Sequence, residues 1–260
     1  MIKMNALVLA GGRLDREDPL YPQTAGGWRC LLDIQGRPMV QWVLEALNAA
    51  KSVQEIFLIG LPETQNLESQ KPLQYLRENG GLFENIRAGV IAATDKNPAS
   101  TKVLLASGDL PAIQPKMVDW LSTQVSQYPD AKIYYNVITK DTMNSRFPNA
   151  NRTFVRFKDL TVCGGDLNVV DRELFATENP LWNKLAQARK NPLKQVSLLG
   201  VDSLILVALR LLTLEGAVKR VCKKLKTDGR VLLAPYAEMG MDADKPYQLE
   251  ILREALEERI

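Results

Sequence analysis

Three groups of residues in this chain have types and spacing suited to handling a phosphorylated nucleotide. The first is a glycine pair that ends an apolar run, Ala6-Leu7-Val8-Leu9-Ala10-Gly11-Gly12-Arg13. With no Cβ in the way, such a turn lets backbone N–H groups approach an anion closely. The second group is cationic: Arg13, and Arg29 in Gly27-Trp28-Arg29-Cys30-Leu31-Leu32, ahead of Gly36-Arg37-Pro38-Met39. The third is acidic: Asp109 in Ser107-Gly108-Asp109-Leu110-Pro111, and the run Asp242-Ala243-Asp244-Lys245-Pro246. A carboxylate beyond the end of a parallel strand can hold Mg²⁺ against a bound triphosphate. The same residues also suit plainer roles. An aspartate before a proline turn commonly bonds its own backbone, and acids ahead of a helix cap it and favour its dipole.

The chain contains no histidine. Ser-His-Asp and Cys-His catalysis, HExxH metalloproteases and imidazole metal sites are therefore excluded. Carboxylate, lysine, arginine and backbone chemistry remain, which suits phosphoryl or nucleotidyl transfer assisted by a hard cation. Three scattered cysteines, Cys30, Cys163 and Cys222, match no disulfide framework or zinc-ligand spacing and read as small buried hydrophobes. A formal charge of +3 is too slight to imply nucleic-acid binding. The opening runs directly into a strand without the pattern of a secretory leader, so a reducing, cytoplasmic setting is expected.

The elements that must position these groups alternate between strand-like and helical periods through the first half, the pattern of a parallel sheet covered by helices. Strands are expected at residues 3–10, 55–60, 102–106 and 131–138. Helices are expected at 38–51, 64–78 (the weaker one), 83–94 and 115–127. Apolar Met39, Val40, Val43, Leu44 and Leu47 give the first of these its helical period. Residues 141–152 are polar and read as a loop, followed by short strands at 153–157 and 166–171. Residues 181–226 read as mostly helical, 230–235 as a late strand and 246–258 as a closing helix. With 260 residues and no linker, the expectation is one domain: a nucleotide-binding half at 1–138 and an acceptor-binding half at 139–260, the latter carrying the helical insertion.

With these motifs in order, the chain resembles the nucleoside-triphosphate transferase superfamily with the glycosyltransferase-A-like fold. That superfamily includes sugar-1-phosphate nucleotidyltransferases, molybdenum-cofactor guanylyl- and cytidylyltransferases and methylerythritol-phosphate cytidylyltransferases. The resemblance rests on Leu9 to Gly12, Arg29 to Leu32 with Gly36 to Met39, Gly108 to Pro111, and Asp242 to Leu249. It implies a Rossmann-like, mixed but mainly parallel sheet flanked by helices. It further implies that Leu9, Ala10, Gly11, Gly12 and Arg13, with Gly108, cradle the nucleotide, and that Asn85 reads base or ribose. Arg16, four positions after Gly12, would bind the triphosphate. Arg29, standing where the family has lysine, would neutralise charge at the α-phosphate. Asp109 and Asp244 would share Mg²⁺ or Mn²⁺, with Asp242 assisting. Gly164, Gly165 and Asn168 would line the pocket for the acceptor.

The reaction implied is in-line attack of an acceptor phosphate on the α-phosphorus of an NTP, with release of pyrophosphate. The partners are thus an NTP and a phosphorylated small molecule, not a nucleic acid. A glycosyltransferase using a sugar nucleotide is the alternative within the fold, though Ser-Gly-Asp stands here where that chemistry shows Asp-x-Asp. A nucleotide-binding protein without turnover is the third reading. Residues 198–218 are apolar but interrupted by Asp202, Arg210 and Glu215, then followed by Lys219, Arg220, Lys223, Lys224 and Lys226. This reads as a buried helix with a solvated basic face, in preference to a segment that lies on an anionic membrane.

Overall fold

The computed structural model describes residues 1–24, 26–176 and 211–257, together with Lys184, Leu209 and Arg259. β1 (Met4–Leu9) is central and buried nearly throughout. It pairs in parallel with β4 (Val53–Ile59) on one side and β6 (Lys102–Ser107) on the other. A short edge strand, β5 (Leu73–Leu76), adds to β4, also in parallel. Between β1 and β4 lie a two-residue hairpin, β2 (Asp33–Ile34) with β3 (Arg37–Pro38), and α1 (Met39–Ala49). α2 (Leu82–Lys96) and α3 (Pro115–Gln127) make the remaining crossovers of this half.

Beyond β6 the pairing turns mostly antiparallel. The sheet order is β5-β4-β1-β6-β10-β7-β9-β8, with β11 on β7. Here β7 is Ile133–Thr139, β8 is Val155–Arg156, β9 is Thr161–Gly164, β10 is Leu167–Asp171 and β11 is Gly229–Leu233. β9 and β10 run antiparallel along β7 as one strand broken at Gly165–Asp166. The break lets β10 slip between β7 and β6. α4 (Lys140–Arg146) follows β7, α5 (Leu214–Leu225) precedes β11, and α6 (Pro246–Glu257) closes the chain.

The alternation of β1 sorts its side chains into two layers. Ala6, Val8 and Ala10 join α1, α3 and α6 through Leu44, Leu47, Val118, Leu121, Leu249 and Leu252. Leu7 faces the other way, with Phe57 and with Val90 and Ala93 of α2. A strand buried on both faces reads as the unbroken apolar run seen at 6–10.

Several elements differ from expectation. Residues 64–78 are not a helix: a single 3₁₀ turn covers Glu63–Gln65, and the stretch then extends into β5. Pro72 opens that edge, where a missing N–H is tolerated, and the β4 backbone supplies the pairing that decides the outcome. Residues 140–146 form a helix instead of a loop, started by Thr139, whose Oγ1 accepts a 3.1 Å bond from the Thr142 N–H. β9 had no separate signal. The helical reading of 181–226 holds over Leu214–Leu225, whereas residues 185–208, with most of the apolar run, lie outside the described residues. Among the described residues no helix is long and apolar enough to cross a membrane.

Candidate active site

β1 and β6 end side by side, Leu9 level with Ser107, and the chain leaves each through a glycine. The Gly108 N–H donates to Leu9 O at 2.9 Å and the Ala10 N–H to Ile59 O at 2.8 Å, so the turns after β1, β4 and β6 abut. Gly60, at φ +104°, lies so close that a Cβ there would run into the backbone of Gly11. Only glycine supplies both that backbone angle and that approach. A Cβ on Gly11 would in turn strike the Glu78 carboxylate, which therefore lies against the glycine turn. Asn85, in the first turn of α2, accepts a 2.6 Å bond from the Asn79 N–H and thereby steadies the loop that carries Glu78.

The segment from Gly12 to Arg29 is tied at its neck. Arg13 and Trp28 form a bridge, the Leu14 N–H donates to Gly27 O at 2.7 Å, and the Arg29 N–H donates to Gly12 O at 2.9 Å. The Arg13 guanidinium stacks 4.0 Å over the Trp28 ring, whose Nε1 donates to Gly60 O at 3.0 Å. Leu14 and Leu20 are buried in the core, so the segment is packed down at its base and is not a free lid. Arg16, Asp15 and Glu17 stand exposed on it.

Arg29 starts a 3₁₀ turn, and the next residue, Cys30, is buried with its thiol donating to Ala10 O at 3.1 Å. Burial, reinforced by the charge of Asp109, pushes that thiol far above its ordinary value, which makes it a packing residue and not a nucleophile. The arginine side chain, 14% exposed, reaches back across the strand ends. Its Nη1 pairs with Asp244 Oδ1 and stands 3.9 Å from Asp109 Oδ2. Asp109 Oδ1 accepts from Ser107 Oγ, which leaves its second oxygen directed at Arg29. Two acids 135 positions apart in the chain thus meet at one nitrogen.

Asp244 is brought there by the loop before α6. Ala243 is fully buried, the Asp244 N–H donates to Gln248 Oε1 at 3.1 Å, and the buried Gln248 Nε2 donates to Ala150 O at 3.0 Å. Asp242 therefore points elsewhere, to a second arginine. Arg152 Nη1 pairs with it, and Nη2 lies 3.9 Å from Asp166 Oδ2. Burial raises the Asp242 carboxyl; Arg152 opposes that, the charges of Asp109 and Asp244 add to it, and the group is pushed up to about 6. The strand ends are crowded with negative charge.

Gly164, Gly165 and Asn168 lie at the break between β9 and β10. Gly164 sits beside the Tyr135 hydroxyl, and a Cβ at Gly165 would press on the carbonyls of Met239 and Asn136. Asn168 accepts from the Asn136 N–H at 2.8 Å and donates to Gly165 O at 2.9 Å, so its amide holds the break together. Arg152 and Glu78 were not singled out in the sequence. The former lies in the polar run 141–152, and only a partner 90 positions away reveals its use.

The donors that Asp109 and Asp244 bring together at Arg29 are carboxylate oxygens alone, the set a hard divalent cation takes. They form a pair: among the described residues, three or more metal-binding side chains nowhere gather into one group.

The MobA-like NTP transferase domain matches residues 6–196. A protein of Thermococcus gammatolerans named probable molybdenum cofactor guanylyltransferase is 30% identical over 121 residues, 46% of this chain and 56% of that protein. One from Thermococcus sibiricus with the same name is 28% identical over 119 residues, 45% and 54% of the two chains. The match thus spans about half the length of these curated relatives. Among solved structures, a hypothetical transferase from Thermus thermophilus is 31% identical, with a TM-score of 0.80 over 95% of this chain and 100% of that one. The CMP:2-keto-3-deoxy-manno-octonic acid synthetase complexed with CTP shares the fold at 15% identity, with a TM-score of 0.59 over 99% of this chain and 100% of that chain.

Proposed function

The chain belongs to the MobA-like NTP transferase family, and on that premise we propose that it transfers a nucleoside monophosphate from an NTP to a phosphorylated small molecule, releasing pyrophosphate. One observation carries this reading: Asp109 and Asp244 converge on Arg29 beside the glycine turn, at the carboxyl ends of parallel strands. Ligands of open α/β sheets bind at such strand ends. The names of the curated relatives make GTP the first nucleotide to test.

In this mechanism the backbone N–H groups of Gly11 and Gly12 receive the phosphates. Asp109 and Asp244 would hold a divalent cation, which when bound neutralises phosphate charge and polarises the α-phosphoryl group. An acceptor phosphate oxygen attacks the α-phosphorus; the bond from that phosphorus to the bridging oxygen breaks, and its electron pair leaves with pyrophosphate. No general base is needed, because the attacking phosphate is already ionised at neutral pH. Arg29 offsets the charge that gathers on the equatorial oxygens. Arg152, beside Asp166 at the β9–β10 break, would meet the acceptor's phosphate.

The test is binding followed by turnover. Thermal shift with GTP, CTP, UTP and ATP, each with Mg²⁺, is expected to single out one base. Pyrophosphate release is then measured with that nucleotide against a panel of phosphorylated acceptors. Failure of all four triphosphates to bind overturns the proposal.

A further inference from the structure

Arg29 occupies the space that a cation shared by Asp109 and Asp244 would need. Both carboxylates reach the same atom, Nη1, one in contact and one at 3.9 Å. A divalent ion bound by the two together, with oxygens at about 2.0–2.6 Å, excludes the guanidinium from that position. Without any cation between them, two acids directed at one point would repel each other, an arrangement that like charges disfavour. The pair is thus always served by some positive group.

We propose that Arg29 is the resident counter-ion of this carboxylate pair, so that divalent metal enters only together with a triphosphate, which draws the guanidinium off the acids. This rests on the reading of Asp109 and Asp244 as metal ligands. Three features fit Arg29 for the exchange. Its grip is incomplete: one nitrogen holds both acids, in place of the two-pronged arginine–carboxylate fork, and its buried Nε has no partner among the described residues. Its backbone is fixed, through the N–H to Gly12 O at 2.9 Å and the carbonyl to the Leu32 N–H at 3.0 Å, so only the side chain has to move. That same bond hitches it to the glycine turn, where arriving phosphates offer the guanidinium a second anion. A lysine could not be equivalent, because an ammonium is a point charge with a different reach.

The experiment follows Mn²⁺ binding by electron paramagnetic resonance, independently of turnover. Wild type, Arg29→Gln and Arg29→Lys are titrated with Mn²⁺ alone and with a non-hydrolysable α,β-methylene GTP. Wild type alone is expected to bind Mn²⁺ at least tenfold more weakly than with the analogue. Arg29→Gln alone is expected to bind it at least tenfold more tightly than wild type alone, with Arg29→Lys between. Equal affinity of wild type and Arg29→Gln, both folded by melting temperature, overturns the inference, as does tight Mn²⁺ binding by wild type without nucleotide. Adding Asp109→Asn separates the layers. If it weakens Mn²⁺ binding with the analogue while Arg29→Gln gains nothing, the ligand reading stands and the role of Arg29 falls. If the gain of Arg29→Gln persists in the Asp109→Asn background, the ligand reading itself is wrong.

Discussion

The two ends of the central sheet carry similar charged residues in opposite states of satisfaction. At the lower end, Asp171 closes β10 opposite Lys102. Its carboxylate accepts from Thr101 Oγ1 at 2.8 Å, Lys102 Nζ at 3.0 Å and the Glu173 N–H at 2.9 Å, and Lys132 stands 4.0 Å away. Burial works against the charged form there, but those hydrogen bonds and the Lys102 charge outweigh it and hold the carboxyl below the ordinary aspartate value. At the upper end, Asp242 is pushed the other way, and the Nε atoms of Arg29 and Arg152 are buried without partners among the described residues. A saturated network stiffens a scaffold. An unsaturated one, with four acids and two arginines at the strand ends, retains affinity for something that arrives from outside.

Substitutions at each end can break or sharpen this division. The largest effect is expected from Asp109→Asn, with pyrophosphate release falling by about 10³-fold while the melting temperature holds. A comparable loss of turnover from Asp171→Asn would erase the distinction. Next, Arg152→Ala strands Asp242 in a buried position and should cost about 3 kcal/mol in urea denaturation, the low end for breaking a buried ion pair. Arg152→Lys should recover part of it.

Asp171→Asn is expected to cost about 2 kcal/mol at pH 7, the scale of hydrogen bonds to a charged group. Because the folded-state value is depressed, that contribution is complete above the unfolded carboxyl value of about 3.9 and fades as pH falls through the folded one. Melting curves of wild type and variant should therefore converge in acid. A gap that stayed constant with pH would show that Asp171 acts by shape and not by charge. The smallest effect belongs to Arg13→Ala, which removes the stacking on Trp28 and should cost no more than about 1 kcal/mol in a thermal melt.

What the sequence disclosed follows the same division between local and distant causes. α3 was legible to its ends because Pro115 opens it and its apolar residues keep one period. β1, its glycine turn and Asp109 were legible because a buried strand and its stop signal are contiguous. β5 was not: residues 64–78 read as a weak helix, and only pairing to β4 decides against it. Of the candidate site, the motifs named the Gly11–Gly12 turn and the three residues that meet there, Arg29, Asp109 and Asp244. The carboxylate of Glu78 against Gly11, and Arg152 on Asp242, are products of tertiary meeting that no local pattern records.

Ala243 has a consequence beyond its size. Buried between two acids that serve different arginines, it acts as a detent that fixes which carboxylate faces which cation. Lengthening or shortening that tripeptide by a single residue would rotate the acids out of phase and cross-wire the two pairs. Loop grafting between members of this family should therefore leave residues 242–244 whole and make its joins elsewhere.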